Sequence, residues 1–421
     1  MSANVTPTAK KYRVALVMPS DFDQWPTGGG LPTVKIFLKY ARHYPFDITL
    51  FGLSWRLDEK LGQVYSRRIH GTDYPFIPIY RVSQEDLTDR RPLIPLRLQT
   101  LGAFWQRRSW VLNRAFDLLY LHAPELLPLM APKHRPILYN FHGIEEAGAQ
   151  YSRYGIFRST FFLRVYQHII AFIVHRGDQF ICVDEESYRL YTMRWPERAA
   201  DFHLVWTAID LDNFKWLPDA RSPKLKASLG LPVDKRIVLF VGRLSEKKGV
   251  SQILQAFAGL APEHEDLALV IVGNGEEREV LEAQVSNLNL VGRVVFLGKV
   301  DHDKLPSFYN SADVSVVASA HESLGLIITE ALACGTPVVS TRVGIAPHVI
   351  RDGETGFIAS ERTPAALREG VRAALQLGPG AADKCVAAAA PYGHTSEKIC
   401  QVMLEMCEHG VEGQRIVGRR S

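Results

Sequence analysis

Residues 313–341 read DVSVVASAHESLGLIITEALACGTPVVST, and this stretch decides the fold. A β-branched run at 313–318 is followed by a segment in which nearly every side chain from Leu324 to Cys334 is apolar, and then by a second β-branched run at 336–341. Strand, buried helix, strand is the repeat of an α/β protein built on a parallel sheet. Gly335 in the C′ position and Pro337 just beyond it stop the helix, which the pattern predicts over Ser323–Cys334. Two carboxylates break the apolar run: Glu322 at its entrance and Glu330 inside it. Burying an unpaired carboxylate costs about several kcal/mol, so each needs a partner or a ligand. In a continuous helix they would stand ~12 Å apart, far enough for one to reach a sugar and the other a ribose. The structural alternative is a helix cap at Glu322 and a core arginine pairing with Glu330.

The same alternation continues in both directions. Apolar strand-length runs occur at 12–18, 47–52, 76–82, 117–122, 136–142, 179–183 and 202–206, and again at 236–242, 267–273, 293–298, 313–318, 336–341 and 356–359. Two such sets in 421 residues exceed one core and predict two α/β domains with a cleft between them. The seam falls near the polar, proline-containing segment 208–223, and a final amphipathic helix lies in SEKICQVMLEMCEH, 396–409. Residues 1–205 hold 26 Lys+Arg against 19 Asp+Glu, a net of +7, so the first half favours acidic partners such as phosphates or an anionic membrane surface. Five scattered cysteines without CxxC or metal-ligand spacing point to a reducing cytosol. The apolar part of the N-terminus is too short for a signal peptide, and no run reaches the length of a membrane span. The nearest approach, Ser159–Asp178, is interrupted by Arg164, Gln167 and His168 and reads as a helix packed on a sheet rather than an interfacial one.

Charged and glycine-rich loops follow several of these strands. FVGRLSEKKGV, 240–250, sets Arg243, Lys247 and Lys248 where a diphosphate could be neutralised without metal. Gly28, Gly29 and Gly30 form a loop whose N–H groups could approach a phosphate or acceptor closely, although a plain surface turn would look the same. His142 ends the run PILYNFH. The pairs Asp21/Asp23, Asp210/Asp212 and Asp301/Asp303 have carboxylate-clamp spacing, yet none follows a convincing buried strand. No metal requirement and no cofactor are expected. Between Arg67 and Arg114 nine arginines stand against four acids, interleaved with Phe104, Trp105 and Trp110. That mixture suits an anionic bilayer and a lipid-linked acceptor, and equally a solvated helix whose arginine stems cover apolar groups.

Taken together, VGRLSEKKG (241–249), LVIVGNGEE (269–277), VVFLGKV (294–300), the run 309–341 and IRDGETGFI (350–358) resemble the retaining GT-B glycosyltransferases of glycosyltransferase family 4. HESLGLIITE looks like that family's E-x7-E signature, and GGGLPTV, YNFHG and GDQFICVDEES carry a weaker likeness in the first half. The resemblance implies two Rossmann-like domains facing each other, an acceptor domain over 1–207 and a donor domain over 208–390, with a helix at about 391–411 returning to the first. It implies that Arg243 and Lys248 hold the donor diphosphate, Glu330 the ribose and Glu322 the transferred sugar. Backbone around Ser323, Leu324, Gly325 and Leu326 would touch sugar and phosphate, Lys299 and Val300 would lie along the base, and Gly273 would form the turn beside the cleft. His142 matches the family's active-site histidine. Ile345, His348, Thr207, Ala208 and Leu324 depart from common family residues, which leaves sugar identity open. The implied activity is transfer of a hexose from a UDP- or GDP-sugar to a saccharide or lipid-linked saccharide in surface polysaccharide or glycoconjugate synthesis. The implied setting is the cytoplasm, with peripheral association with the inner face of the membrane left open and no nucleic-acid partner. The rivals are a nucleotide-sugar epimerase or isomerase and a non-catalytic binding protein on the same fold.

Overall fold

The computed structural model describes residues 10–23, 30–83, 96–130, 135–145, 159–218, 221–323, 325–378 and 380–417. Each apolar run forms a strand because helices cover the sheets and leave their central strands no wet face. The first set comprises β1 (Tyr12–Val17), β2 (Phe46–Ser54), β3 (Tyr65–Ile69), β4 (Thr72–Arg81), β5 (Leu118–Leu121), β6 (Ile137–Phe141), β7 (Gln179–Cys182) and β8 (Phe202–Leu204). They pair in the order β3-β4-β2-β1-β5-β6-β7-β8. The second set comprises β9 (Arg236–Val241), β10 (Leu267–Val272), β11 (Val294–Gly298), β12 (Val314–Val317), β13 (Val338–Ser340) and β14 (Gly356–Ile358), ordered β11-β10-β9-β12-β13-β14. The chain divides into two compact units, one holding residues up to Ala208 together with those from Thr395 onward, the other Ile209–His394.

Both sheets are doubly wound. In the second, the strand order reverses between β9 and β12, which pair in parallel. In the first it reverses between β1 and β5, also parallel. Crossover helices leave in opposite directions at such a point, so the carboxyl ends of those two strands open a crevice where ligands bind in folds of this kind. Around β10, all six of whose residues are buried, Leu254, Phe257, Leu281 and Leu367 close the second core. Each fully buried side chain of this size contributes about 1.5–3 kcal/mol.

Two local expectations are corrected. Strand β3 was not among the predicted runs; it pairs antiparallel with β4 through a two-residue turn. His70 and Gly71 supply that turn with φ of 45° and 79°, the left-handed pair that matches strand twist. Its sequence YSRRI alternates buried and exposed positions, but one buried position is Arg67, so charge hid the pattern. The helix expected over Ser323–Cys334 spans Leu326–Ala333. Gly325 precedes it at φ 65°, which no helical residue adopts, so Glu322 lies on a loop rather than capping a helix.

The helix Thr395–Val417 packs against the first helix among the described residues, Gly30–Ala41, within the first unit. The helix Thr160–Arg176 is capped by Ser159, whose hydroxyl accepts from Phe162 N at 3.2 Å. It buries Tyr166, Ile170, Ile173 and Val174 in the first core and leaves Phe161 and Phe172 exposed. Among the described residues no helix is long and apolar enough to cross a membrane.

Candidate active site

The loops leaving β9, β10 and β11 lie backbone against backbone. Gly242 N donates to Val272 O at 2.9 Å, and Gly273 N to Gly298 O at 2.8 Å. A Cβ at Gly273 would fall 1.7 Å from Gly242 O, so only glycine lets these strand ends stack. The loop after β9 is tied to the loop after β12, at the point where strand order reverses. Ala320 N donates to Lys247 O at 2.8 Å, and Arg362 spans both loops, donating to Ala318 O at 2.8 Å and Glu246 O at 2.9 Å.

These ties bring Lys248 and Glu322 together. The Lys248 ammonium donates to Glu322 Oε1, which also accepts from the Ser319 hydroxyl at 2.6 Å. The two side chains keep 21% and 12% of their surface, so the pair is sheltered yet open to a ligand. Neighbouring Lys247 is held below the ordinary lysine value by burial, with the Glu322 carboxylate offsetting part of the effect and the Lys248 charge adding to it. Arg243 stands on the same loop, half-exposed, with Nε 3.1 Å from Glu276 Oε2. An exposed pair of this kind is worth about 1 kcal/mol or less and can exchange its carboxylate for a phosphate. Glu277 beside it titrates above the ordinary carboxylate range through burial and the charges of Glu246 and Glu276.

Glu330 is buried, and its partners are not arginine. His302 Nε2 lies 2.7 Å from Oε1, and the Tyr309 hydroxyl donates to Oε2 at 3.0 Å. Burial and this carboxylate push the Tyr309 phenol well above its usual value. Sequence reading missed His302 and Tyr309 because they lie on separate elements from Glu330; only their positions after β11 and before β12 hinted at them. Lys299 and Val300 follow β11 directly, the first exposed and the second partly so. Ser323 and Leu326 are half-buried on either side of the buried Gly325, while Leu324 lies outside the described residues.

In the first unit Gly28 and Gly29 lie outside the described residues, and Gly30 opens the helix Gly30–Ala41. A Cβ at Gly30 would stand 3.9 Å from His142 Cε1, so these two expected site residues are neighbours. His142 Nε2 lies 3.1 Å from Nδ1 of His122, a residue that directly follows strand β5 as His142 directly follows β6. That shared placement was the available signal for His122. Burial lowers both imidazoles, His142 to about 4 and His122 well below its usual value with His142 adding to the effect. Both rings are therefore neutral at pH 7.

Three of the paired aspartates meet basic or indole partners. Asp21 accepts from Trp55 Nε1 at 2.8 Å, Asp23 pairs with Arg56, and Asp301 accepts from Lys304 at 2.9 Å. Among the described residues no group of three or more His, Cys, Asp or Glu is arranged to hold a metal ion.

Residues 221–390 match the family model described as Glycosyl transferases group 1. Over 153 residues, 34% of this chain, the sequence is 39% identical to D-inositol 3-phosphate glycosyltransferase of Acidothermus cellulolyticus. The matched part spans about a third of that relative's length, 34%. Among solved structures, sucrose-phosphate synthase of Thermosynechococcus elongatus superposes with a TM-score of 0.76 at 22% identity, over 94% of this chain and 99% of that one. Anabaena HepE in complex with UDP-glucose gives 0.69 at 20% identity, over 94% and 100%. At these identities the likeness to the solved structures shows the fold, which is α/β with two Rossmann-like units of the GT-B class.

Proposed function

We propose that the protein is a retaining glycosyltransferase of family 4 that moves a hexose from a nucleotide diphosphate sugar to a saccharide or lipid-linked saccharide hydroxyl. The observation that carries this reading is the Lys248–Glu322 pair, seated with Arg243 at the reversal point of the second sheet. Cation and carboxylate side by side match a donor that presents diphosphate and sugar hydroxyls side by side. The group 1 match over 221–390 supports the transfer chemistry, and the complex of HepE with UDP-glucose supports a UDP-sugar as donor.

In this reading Glu322 receives hydroxyls of the transferred sugar, and Glu330 lies toward the ribose with His302 and Tyr309 fixing its oxygens. Lys248 and Arg243 face the diphosphate. The acceptor oxygen bonds to the anomeric carbon on the face from which the diphosphate leaves; the bond from that carbon to the phosphate oxygen breaks, and the acceptor proton passes to the departing diphosphate. Negative charge grows there, and one donor aimed at it contributes on the order of 3 kcal/mol. The two cations serve this role without a required metal.

A melting panel of UDP, GDP and ADP with their sugars, run in EDTA, tests the reading. One family of nucleotides at a hundred times its Kd should add about 2.7 kcal/mol of stability, and transfer should persist in EDTA. Stabilisation by none of them would remove the donor assignment, and loss of activity in EDTA would remove the metal-free step.

A lipid-linked acceptor would bring the protein to a membrane surface. Exposed Trp105 with Arg108 4.9 Å over its ring, and exposed Phe161 and Phe172, supply aromatic and cationic groups suited to an anionic interface. Co-sedimentation with vesicles containing phosphatidylglycerol, but not with phosphatidylcholine alone, is the expected result. Equal recovery with both would discard the association.

A further inference from the structure

We infer that His122 and Asn140 together hold His142 as the neutral tautomer that carries its proton on Nδ1, presenting an N–H donor beside Gly30 to a substrate oxygen. The last clause rests on the transferase reading; the placement of the proton does not.

The geometry begins at Tyr120 on β5, whose hydroxyl donates to Asn140 Oδ1 at 3.1 Å. That bond turns the Asn140 amide nitrogen toward His142 Nε2, 3.5 Å away. His122, 5% exposed and with its ring centroid 4.2 Å from that of Tyr120, brings Nδ1 to 3.1 Å from the same Nε2. A neutral imidazole has one donor and one acceptor nitrogen, so one of the two facing nitrogens carries the shared proton. If His142 Nε2 carried it, the Asn140 amide would face another N–H. Either placement leaves one buried N–H without a partner among the described residues, His122 Nε2–H in this case and His142 Nδ1–H in the other, so the Asn140 amide decides between them.

With the proton on His122 Nδ1 instead, both neighbours donate toward a bare His142 Nε2, and the Asn140 conflict disappears. The remaining donor is then His142 Nδ1–H, which also has no partner among the described residues. That atom is buried, on a ring that keeps partial exposure elsewhere, and a Cβ at Gly30 would lie 4.0 Å from it. The unsatisfied donor is thereby placed at the reversal point of the first sheet, where an incoming hydroxyl can satisfy it. His122 and Asn140 are positioning residues; His142 is the group that meets substrate.

The test is a two-bond proton–nitrogen NMR correlation on full-length protein labelled with 15N-histidine, with His142 signals assigned by their loss in His142→Asn. At pH 7 the native protein should show a protonated Nδ1 and a bare Nε2 on His142. His122→Phe should move His142 toward the Nε2–H form and lower kcat about tenfold with little change in KM, because a misdirected donor no longer meets the transition state. His122→Asn, whose amide nitrogen takes the place of Nδ1, should restore both readouts to within about twofold. A native Nε2–H signal would overturn the proton placement, and it requires no variant to fold. Retention of Nδ1–H in folded His122→Phe would overturn the role of His122. A native Nδ1–H signal unmoved by any nucleotide sugar or acceptor would uphold the placement and overturn the substrate role.

Discussion

Lys248→Ala is expected to lower the rate of sugar transfer by about a hundredfold or more while shifting the melting temperature by only about 2–4 °C. The two effects separate because Lys248 does different work in each. In the resting protein it donates to Glu322, which keeps the Ser319 hydroxyl at 2.6 Å when the lysine is gone. The pair retains partial exposure, so solvent screens it and its removal costs about 1 kcal/mol. In the transition state the same ammonium would face a diphosphate taking up charge, and nothing replaces it. Steady-state kinetics with the donor identified by the melting panel, beside a melting curve, separates the two. Lys304→Ala, which removes an exposed lysine paired with Asp301, is the matched control and should leave the rate unchanged. Full activity in Lys248→Ala would end the diphosphate assignment.

Arg67→Ala should destabilise the first unit by about 3–5 kcal/mol, the usual cost of leaving one member of a buried ion pair alone. Arg67 donates to both oxygens of Glu59, at 2.7 and 2.9 Å, and the Ser54 hydroxyl donates to Glu59 at 2.6 Å. Its Nε donates to Asp21 O at 2.9 Å, and its guanidinium lies 4.0 Å from the centre of the Phe76 ring. Burial alone would raise the Glu59 carboxyl; hydrogen bonds from Arg67 and Ser54 outweigh it and hold the group below the ordinary range. A carboxyl lowered on folding stabilises the protein above its unfolded pKa, and that share is lost as pH falls through the lower folded value. In Arg67→Ala burial acts with less opposition and the carboxyl rises, so acid relieves the variant while weakening the parent. The difference in urea stability between the two should therefore narrow from pH 7 toward pH 4. Arg67→Met combined with Glu59→Leu should recover most of the loss, since no charge is left buried. A difference below about 1 kcal/mol, or one that does not change with pH, would contradict this account of the pair.

That pair also shows where reading the sequence fell short. Strands such as β10 were legible because every side chain in them is apolar and short runs of that kind have few other uses. The edge strand β3 was not, because one of its two buried positions holds an arginine whose partner lies eight residues earlier, on the loop before the strand. Charge at an inward position looks like a loop until the partner is known. The helix start shifted for a related reason. Apolar character continues through Leu324, Gly325 and Leu326, but the left-handed backbone at Gly325 forbids helix there, and hydrophobicity carries no information about φ. Glu322 and Glu330 were visible as anomalies, and both have partners. Ser319 stands three residues before Glu322 on the same loop, but Lys248, His302 and Tyr309 come from three other places in the chain, brought to the carboxylates by the fold rather than by local spacing.

The terminal helix has a consequence for biosynthesis. Thr395–Val417 completes the first unit, whereas the second unit is one uninterrupted stretch from Ile209 to His394. On the ribosome, residues up to Ala208 emerge first but must wait for the whole of the later unit before the helix that covers Gly30–Ala41 can arrive. The unit that starts second is therefore the first whose segment is complete, so the order in which the two units are finished runs against the order in which they begin.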